Sequence, residues 1–424
     1  MERNNARLAS VLAAVALTLV SSCGGSGNVA APGPLASCKG TVGVASDLPT
    51  SGEDAAMGGP VEKAVRLAVD QATAGHLLGG CTLKYTAMDD ASPALGRHDP
   101  IQGAQNVTTL VADHTLVGIV GPFNTTVATE ELKVTNKVGV VQISPSTTDP
   151  GLTVPATDPA VDTASLRPSG RTTFFRVIAN DIAQAQVMAQ VAGKDLNLRK
   201  IYDISDQEAY GSDMSDYFDA AFTKAGGAIV KRVKLSSPTT DFGPMVVEAQ
   251  GLAADGVFFG GLLTNGAGLL RKQMADAGFH AQFLSDDGVI GPKFISDAGT
   301  AAEGAQAATA PNTAGLPSAQ QFVRQYQQRY GENPGAYSTY AYDCMNILLN
   351  AIHDVLVAGG AKPPADLQTF RSQVAAKVQA TDYKGTIGET RFDANGDTLN
   401  TAFAVYAVEK GHWVERKTLS PAAG

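Results

Sequence analysis

Short apolar runs recur along this chain, and each is followed, after a turn, by a longer stretch with apolar residues at helical spacing. The first runs are Thr41-Val42-Gly43-Val44-Ala45, Cys81 to Thr86, Leu116-Val117-Gly118-Ile119-Val120 and Val138-Gly139-Val140-Val141-Gln142-Ile143. Between them lie helical patterns at about 59–74 (with Val61, Val65, Ala68 and Val69 on one face), near 100–113 and from Thr125. A strand that is apolar throughout is covered on both faces, which calls for a parallel sheet with helices on either side. A second series follows: Thr173–Ile178, a helix at 181–195, Lys200–Ile204, a helix at 213–225, Ala228–Val233, a helix at 242–252, Gly256–Phe259, a helix at 266–277 and Phe283-Leu284. Beyond Ala302-Glu303-Gly304 come helices near 318–330, 335–358 and 366–378. A C-terminal hairpin closes the chain, with 390–392 and 401–408 flanking Asp393-Ala394-Asn395-Gly396-Asp397. The stretch Asp149 to Arg171 is rich in Pro, Thr, Ala and Asp and reads as a surface excursion. Two series of one kind predict an α/β protein of two lobes alike in architecture.

Composition removes several classes. With 424 residues, 44% hydrophobic and 17% charged, the chain has material for more than one core and is not disordered. A net charge of −9 disfavours a nucleic-acid binder. No Gly-x-Ser-x-Gly elbow, strand-linked Gly-x-Gly-x-x-Gly or Walker loop appears, so hydrolase and nucleotide sites lack their signatures. His76, His98, His114, His280, His353 and His412 show no metal spacing and read as surface or core residues. Asp393-x-Asn395-x-Asp397 resembles the start of a calcium loop, but Thr398 replaces its glycine and Ala404 its terminal acid, so a turn is expected. No metal or cofactor is expected.

At the N-terminus, Arg3 and Arg7 precede the thirteen-residue apolar run Leu8 to Val20, a signal-peptide length that is short for a bilayer span. Val20-Ser21-Ser22-Cys23 then reads as a lipobox, with Cys23 as the lipidated residue; the alternative is an ordinary secretory signal with Cys23 merely nearby. Cleavage before Cys23 would leave 30 basic and 40 acidic residues, net −10. Residues 24–36 read as a flexible tether. In an oxidising compartment, Cys38 and Cys81 stand just ahead of two apolar runs. If those are neighbouring parallel strands, both thiols share one sheet edge, and a disulfide closing about 44 residues would stabilise by roughly 4 kcal/mol. Cys344, on a helix face, reads as a small buried apolar residue.

Ligands of parallel sheets bind beyond the strands' carboxyl ends. After the run 116–120 come Asn124, Thr125 and Thr126, able either to cap the next helix or to hold an anion at its N-terminus. After the run 138–143 come Ser144, Ser146, Thr147 and Thr148, again a turn or a set of neutral donors. Two hydroxyl-rich loops without Lys suit a carboxylate better than a phosphate. Asp286-Asp287-Gly288 would pair with an ammonium or simply form an Asp-Gly turn. Tyr210-Gly211 would cover a ligand or pack a loop.

Read in order, Glu62–Asp70 (with Ala64, Leu67 and Ala68), Met88-Asp89-Asp90, Val120-Gly121-Pro122, Ile143-Ser144-Pro145-Ser146-Thr147-Thr148 and Phe175-Arg176-Val177 form one pattern. Tyr210-Gly211, Phe258-Phe259-Gly260-Gly261, Tyr342-Asp343 and Phe392 to Asp397 continue it. From about Thr41 to Val414 the chain resembles the branched-chain amino-acid solute-binding proteins of ABC importers. The resemblance implies two Rossmann-like lobes joined by three crossovers, with ligand in the cleft and hinge closure on binding. It implies a lobe of 38–174 with 304–396, a second of 175–303 with 397–416, a tail of 417–424, and a signal (1–22) and tether (23–37) before them. Thr125 falls where the family places a hydroxyl on the ligand carboxylate. Ser146 and Thr148 fall on the loop that holds carboxylate and ammonium. Tyr210 matches the Tyr-Gly motif, and Asp287 the acid that pairs with the ammonium. Leu262 stands where the family often has Tyr, and Asp287 where the acid is often Glu. With Asn124 these form the candidate ligand set. The implied role is capture of a branched-chain or related amino acid by a monomer anchored through its lipid, and delivery to an importer permease. A lipid-anchored sensor, a binder of urea, short amides or aromatic acids, and an amide-processing enzyme are the alternatives.

Overall fold

The computed structural model describes residues 35–155, 157, 161–236 and 239–421; the signal segment, Cys23 and all but the last three tether residues lie outside the described residues. The first half comprises β1 (Thr41–Leu48), α1 (Ala55–Ala74), β2 (Thr82–Asp89), β3 (Ala91–Ser92), β4 (Arg97–His98), α2 (Pro100–Val111), β5 (Leu116–Val120), α3 (Thr125–Thr135), β6 (Val141–Ser144), α4 (Thr163–Leu166) and β7 (Phe174–Arg176). Next come α5 (Asp181–Gln190), β8 (Lys200–Ser205), α6 (Ala209–Lys224), β9 (Ala228–Lys234), α7 (Gly243–Gly251), β10 (Gly256–Gly260), α8 (Ala267–Asp276), β11 (Gln282–Ser285), α9 (Pro292–Ala298) and β12 (Gln306–Thr309). Last are α10 (Gln320–Tyr330), α11 (Ser338–Ala358), α12 (Leu367–Gln379), β13 (Tyr383–Gly385), β14 (Gly388–Thr390), β15 (Phe403–Glu409) and β16 (His412–Leu419).

One sheet is wholly parallel, in the order β2-β1-β5-β6-β7. The other runs β16-β15-β12-β11-β10-β8-β9, parallel from β9 to β12, with β15 and β16 added antiparallel. Within each, the first strand lies between the second and the third, so the winding reverses between β1 and β5 and between β8 and β10. Every residue of β5 and of β10 is buried. Neighbouring side chains along a strand feed different cores. Val42, Val44, Val117 and Val120 pack with Val61 and Val65 of α1 and with α11, while Ala45, Leu116 and Ile119 meet Val107 and Leu110 of α2. In the second sheet Val257 and Phe259 share a cluster with Met274 and Phe294, and Phe258 shares one with Phe218 and Phe222 of α6. Each large apolar side chain so buried contributes about 1.5–3 kcal/mol. Gly118 is fixed by packing, since a Cβ there would lie 2.5 Å from Leu348 Cδ1 of α11.

Several expectations move. Phe174–Arg176 was expected to open the second series, yet β7 is the last strand of the first sheet, and β12 belongs to the second. The crossings therefore lie past Arg176 and past Thr309, rather than at 174/175 and 303/304. β16 extends to Leu419, so 417–419 are strand rather than tail. The expected pairing of 390–392 with 401–408 is absent among the described residues: Phe392 bridges Thr398, and β15 pairs with β16. The stretch 149–171 is no free excursion, because Leu152, Val161 and Leu166 pack with Leu132 and Phe174. Leu35, expected in the tether, is buried, and its carbonyl accepts from Cys38 N (2.9 Å) and Gly80 N (3.0 Å). Among the described residues no helix is long and apolar enough to cross a membrane.

Cys38 and Cys81 are joined, with Cα atoms 4.9 Å apart, and tie together the starts of the neighbouring strands β1 and β2; Cys344 is free and buried. Replacing both bridged cysteines by Ala is expected to lower unfolding free energy by roughly 3–4 kcal/mol in urea denaturation, about as much as reduction of the unaltered protein does. An unchanged midpoint would show that the bridge adds nothing to stability.

Candidate functional site

Where the winding of a parallel sheet reverses, neighbouring loops diverge and leave a crevice at the strands' carboxyl ends. Here the crevices of both sheets open on one cleft of about 630 Å³. Asp54 and Met57 reach it after β1, Phe123 to Thr126 after β5, and Ser146 and Thr148 after β6. The second sheet sends Glu208 and Tyr210 after β8, Leu262 to Thr264 after β10, and Asp287 after β11. His98 of β4 and Tyr337, just ahead of α11, join them. The structure thus brings Asn124, Thr125, Ser146, Thr148, Tyr210, Leu262 and Asp287 together on one wall surface, although they are spread over 164 residues of the sequence.

On the first-sheet side, α3 starts without a side-chain cap. Asn124 is extended (φ −104°, ψ 145°) and its side chain makes no capping hydrogen bond, so the first-turn amides beside Thr125 stay available to an anion. Ser144 and Ser146 fix the adjoining loops: Ser144 Oγ donates to Pro122 O (2.8 Å) and accepts from Thr147 N (2.9 Å), and Ser146 Oγ donates to Phe123 O (2.8 Å). The Thr148 carbonyl accepts from Asp181 N (2.9 Å) and so links this loop to the start of α5. Beneath them Arg176 is fully buried, giving Nε to Asp397 Oδ1 (2.8 Å), Nη1 to Asp149 O (2.6 Å) and Nη2 to Thr153 Oγ1 (2.5 Å). That use of Asp397, together with Asp393 Oδ1 accepting from Asn395 N and Asp397 N, makes 393–397 a turn.

On the second-sheet side the paired acids divide the work. Asp286 holds the turn, accepting from Gly261 N (2.9 Å) and Gly288 N (3.0 Å); burial and the neighbouring Asp287 push its carboxyl well up. Asp287 faces the cleft. Its Oδ1 accepts from Tyr210 Oη (2.7 Å) and Gln184 Nε2 (2.9 Å), and its Oδ2 accepts from Tyr337 Oη (2.6 Å). A carboxylate has about four acceptor positions, so roughly one remains for a further donor. Burial and then the nearby carboxylates raise both tyrosine hydroxyls well above their ordinary value, so they stay donors. Because α11 packs on α1, the Tyr337 bond also crosses between lobes.

The sequence reading missed several residues that build this site. Asp206 organises the loops of Tyr210 and Leu262, accepting from Glu208 N (2.9 Å), Leu262 N (2.8 Å) and Asn265 Nδ2 (2.8 Å); burial lifts it to about 6. Its approach needs the glycines on either side, since a Cβ at Gly211 or Gly261 would come within 2.3 Å of its carboxylate. Tyr210-Gly211 and Gly260-Gly261 carried that signal. Gln184 and Tyr337 gave none, being single polar residues at helical positions. His98 was read as surface or core, yet it lies on the cleft wall, only 2% exposed, with Nδ1 2.7 Å from Asp54 Oδ2 and Nε2 3.9 Å from Glu208 Oε2. Arg97 also pairs with Glu208, so charged contacts join β4 of the first lobe to the start of α6 in the second.

Residues 41–412 match the family described as periplasmic binding protein. The chain belongs to that family. A Leu/Ile/Val-binding protein homolog 2 of Brucella abortus (strain 2308) is 27% identical over 363 residues, 86% of this chain and 89% of the other. The leucine binding protein LivK of Thermotoga maritima shares the fold at TM-score 0.74 and 24% identity, covering 90% of this chain and 99% of that one. LivJ of Streptococcus pneumoniae, in complex with isoleucine, gives TM-score 0.74 at 22% identity, with 90% and 100% covered. The fold shared with these structures is the two-lobed α/β architecture that the sequence pattern implied.

The charged contacts generate a pH dependence. Burial opposes the charge on His98, but hydrogen bonds to Asp54 and Glu208 outweigh it and lift the imidazole from 6.5 to about 9. Asp54, Glu208, Asp90 and Asp99 face it, with Arg97 beyond Glu208. Since the folded value lies above the unfolded one, this stabilisation is whole below pH 6.5 and lost as pH rises through about 9. In urea denaturation at fixed salt, the fall in stability across that window is expected to be about 2–3 kcal/mol smaller in His98→Gln than in the unaltered chain. Equal slopes in the two proteins would contradict it.

Proposed function

We propose that this chain is an extracytoplasmic solute-binding protein that captures a leucine-type amino acid between its lobes and delivers it to an ABC importer. The observation that carries the reading is the pairing of chemistries across one cleft. The uncapped N-terminus of α3, from the first lobe, suits a carboxylate, and the remaining acceptor position on Asp287, from the second, suits an ammonium. Met57, Phe123, Leu262 and Leu263 supply apolar wall for an aliphatic side chain. A zwitterion buried without partners would cost several kcal/mol, so both ends must be met. Because each lobe holds one end, ligand favours the closed arrangement by its differential affinity, and the permease would read that arrangement. Micromolar binding corresponds to about −8 kcal/mol. The relatives' names, a Leu/Ile/Val-binding homologue and a leucine binding protein, support the ligand class. In this reading Cys23 carries the lipid that anchors a monomer outside the membrane, and the role is binding rather than turnover.

Titration calorimetry with leucine, isoleucine and valine, and with urea, short amides and aromatic acids for comparison, tests the assignment. Asp287→Asn is expected to weaken amino-acid binding by roughly 2–4 kcal/mol, while a ligand lacking an ammonium loses much less. Unaltered amino-acid affinity in Asp287→Asn would overturn the role given to this carboxylate.

A further inference from the structure

At the carboxyl ends of β1 and β2 three acids from separate elements converge. Asp47 lies in β1, Asp90 directly follows β2 and Glu131 lies in α3. Each is 0% exposed, and one carboxylate oxygen from each lies within 4.8 Å of the others. Amide donors reach only part of the group: Asn106 Nδ2 gives to Asp47 Oδ1 (2.9 Å), and Gln142 Nε2 gives to Glu131 Oε2 (2.6 Å). Asp47 Oδ2, Glu131 Oε1 and both oxygens of Asp90 meet no protein donor group; Asp47 and Glu131 lie close enough to share a proton, and Asp90 has no such contact. Asp90 is the decisive member: wholly buried, without a donor on either oxygen, and aimed at the other two acids. None of the ion pairs among the described residues involves the trio; His98 is the nearby cation, and it is engaged by Asp54 and Glu208.

We infer that Asp47, Asp90 and Glu131 form a binding site for one divalent cation, calcium by preference. Oxygens each 2.3–2.6 Å from one calcium ion can stand up to about 5 Å apart, which the 4.8 Å spread satisfies. An all-carboxylate set with neither sulfur nor imidazole selects a hard cation. Magnesium keeps several waters and demands a near-octahedral shell, whereas calcium accepts carboxylates in flexible geometry, which suits a fully enclosed trio. Gly103 of α2 leaves the space beside Glu131, since a Cβ there would lie 3.0 Å from Oε1. Without a cation the acids must hold protons: burial and mutual repulsion push Asp47 up to about 7 and Asp90 and Glu131 well higher. The ion would clamp together the end of β1, the residue after β2 and α3, the helix that presents Thr125 to the cleft.

The test uses the full chain, stripped with a chelator and dialysed, and needs no amino-acid ligand. Elemental analysis after equilibration with calcium chloride is expected to find about one calcium per chain. The thermal midpoint is expected to rise by several degrees in millimolar calcium and to fall back with chelator. Asp90→Asn is expected to abolish both effects; should it not fold, Glu131→Gln replaces it. No retained metal and no shift with calcium, manganese or magnesium would overturn the site in favour of carboxyls held by protons alone. A shift as large in Asp90→Asn as in the unaltered chain would overturn it as well, and a response to manganese or magnesium but not calcium would overturn the calcium assignment.

Discussion

Parallel strands put all their carboxyl ends on one side, and the helices that follow begin there with unpaired amides. That constraint places most of the cleft residues of this protein. It gives the first lobe a partially positive edge at α3, and it leaves the second lobe to supply the negative partner from a turn, Asp287. Asp287 is useful because it is almost, but not wholly, satisfied. Tyr210, Gln184 and Tyr337 hold it in one orientation while roughly one acceptor position remains. The Tyr337 bond also makes the carboxylate part of the contact between lobes, so occupancy and closure act on the same group.

Around this contact the protein uses buried polar side chains as fixed scaffolding. Arg176 ties the loop of Ser146 and Thr148 to the crossing near Asp397, and Asp206 ties the loop of Tyr210 to that of Leu262. Such groups are tolerated only because nearly every donor is met: removing one partner of a buried charge costs about 3–5 kcal/mol. The loops of the cleft are thereby set before any ligand arrives, which limits the ordering that binding must bring about.

Much of this was legible in the sequence because it follows from periodicity. Continuous apolar runs such as 116–120 and 256–259 could only be buried strands, and the residues just after them had to lie at a cleft. Thr125, Ser146, Thr148, Tyr210 and Asp287 were found that way, Leu262 came only through the family resemblance, and with Asn124 they share one wall. What escaped depended on contacts between distant segments. β12, the four residues Gln-Ala-Ala-Thr, lacks the bulk of a typical strand and is one only because β11 and β15 flank it. β7 looks like any strand that opens a series, and its place in the first sheet is set by β6 and Arg176. His98, Glu208 and Tyr337 carry no local signal at all, because their roles arise only where the two lobes meet. The 149–171 stretch misled through its composition: its few apolar residues, Leu152, Val161 and Leu166, suffice to pack it down.

The most direct check of the account is a crystal structure grown with leucine. It should show the amino acid between the lobes, its carboxylate against the first turn of α3 and the Thr125 hydroxyl, and its ammonium within hydrogen-bond distance of Asp287. Leucine bound outside this cleft, or lying in it with its ammonium turned away from Asp287, would contradict the account.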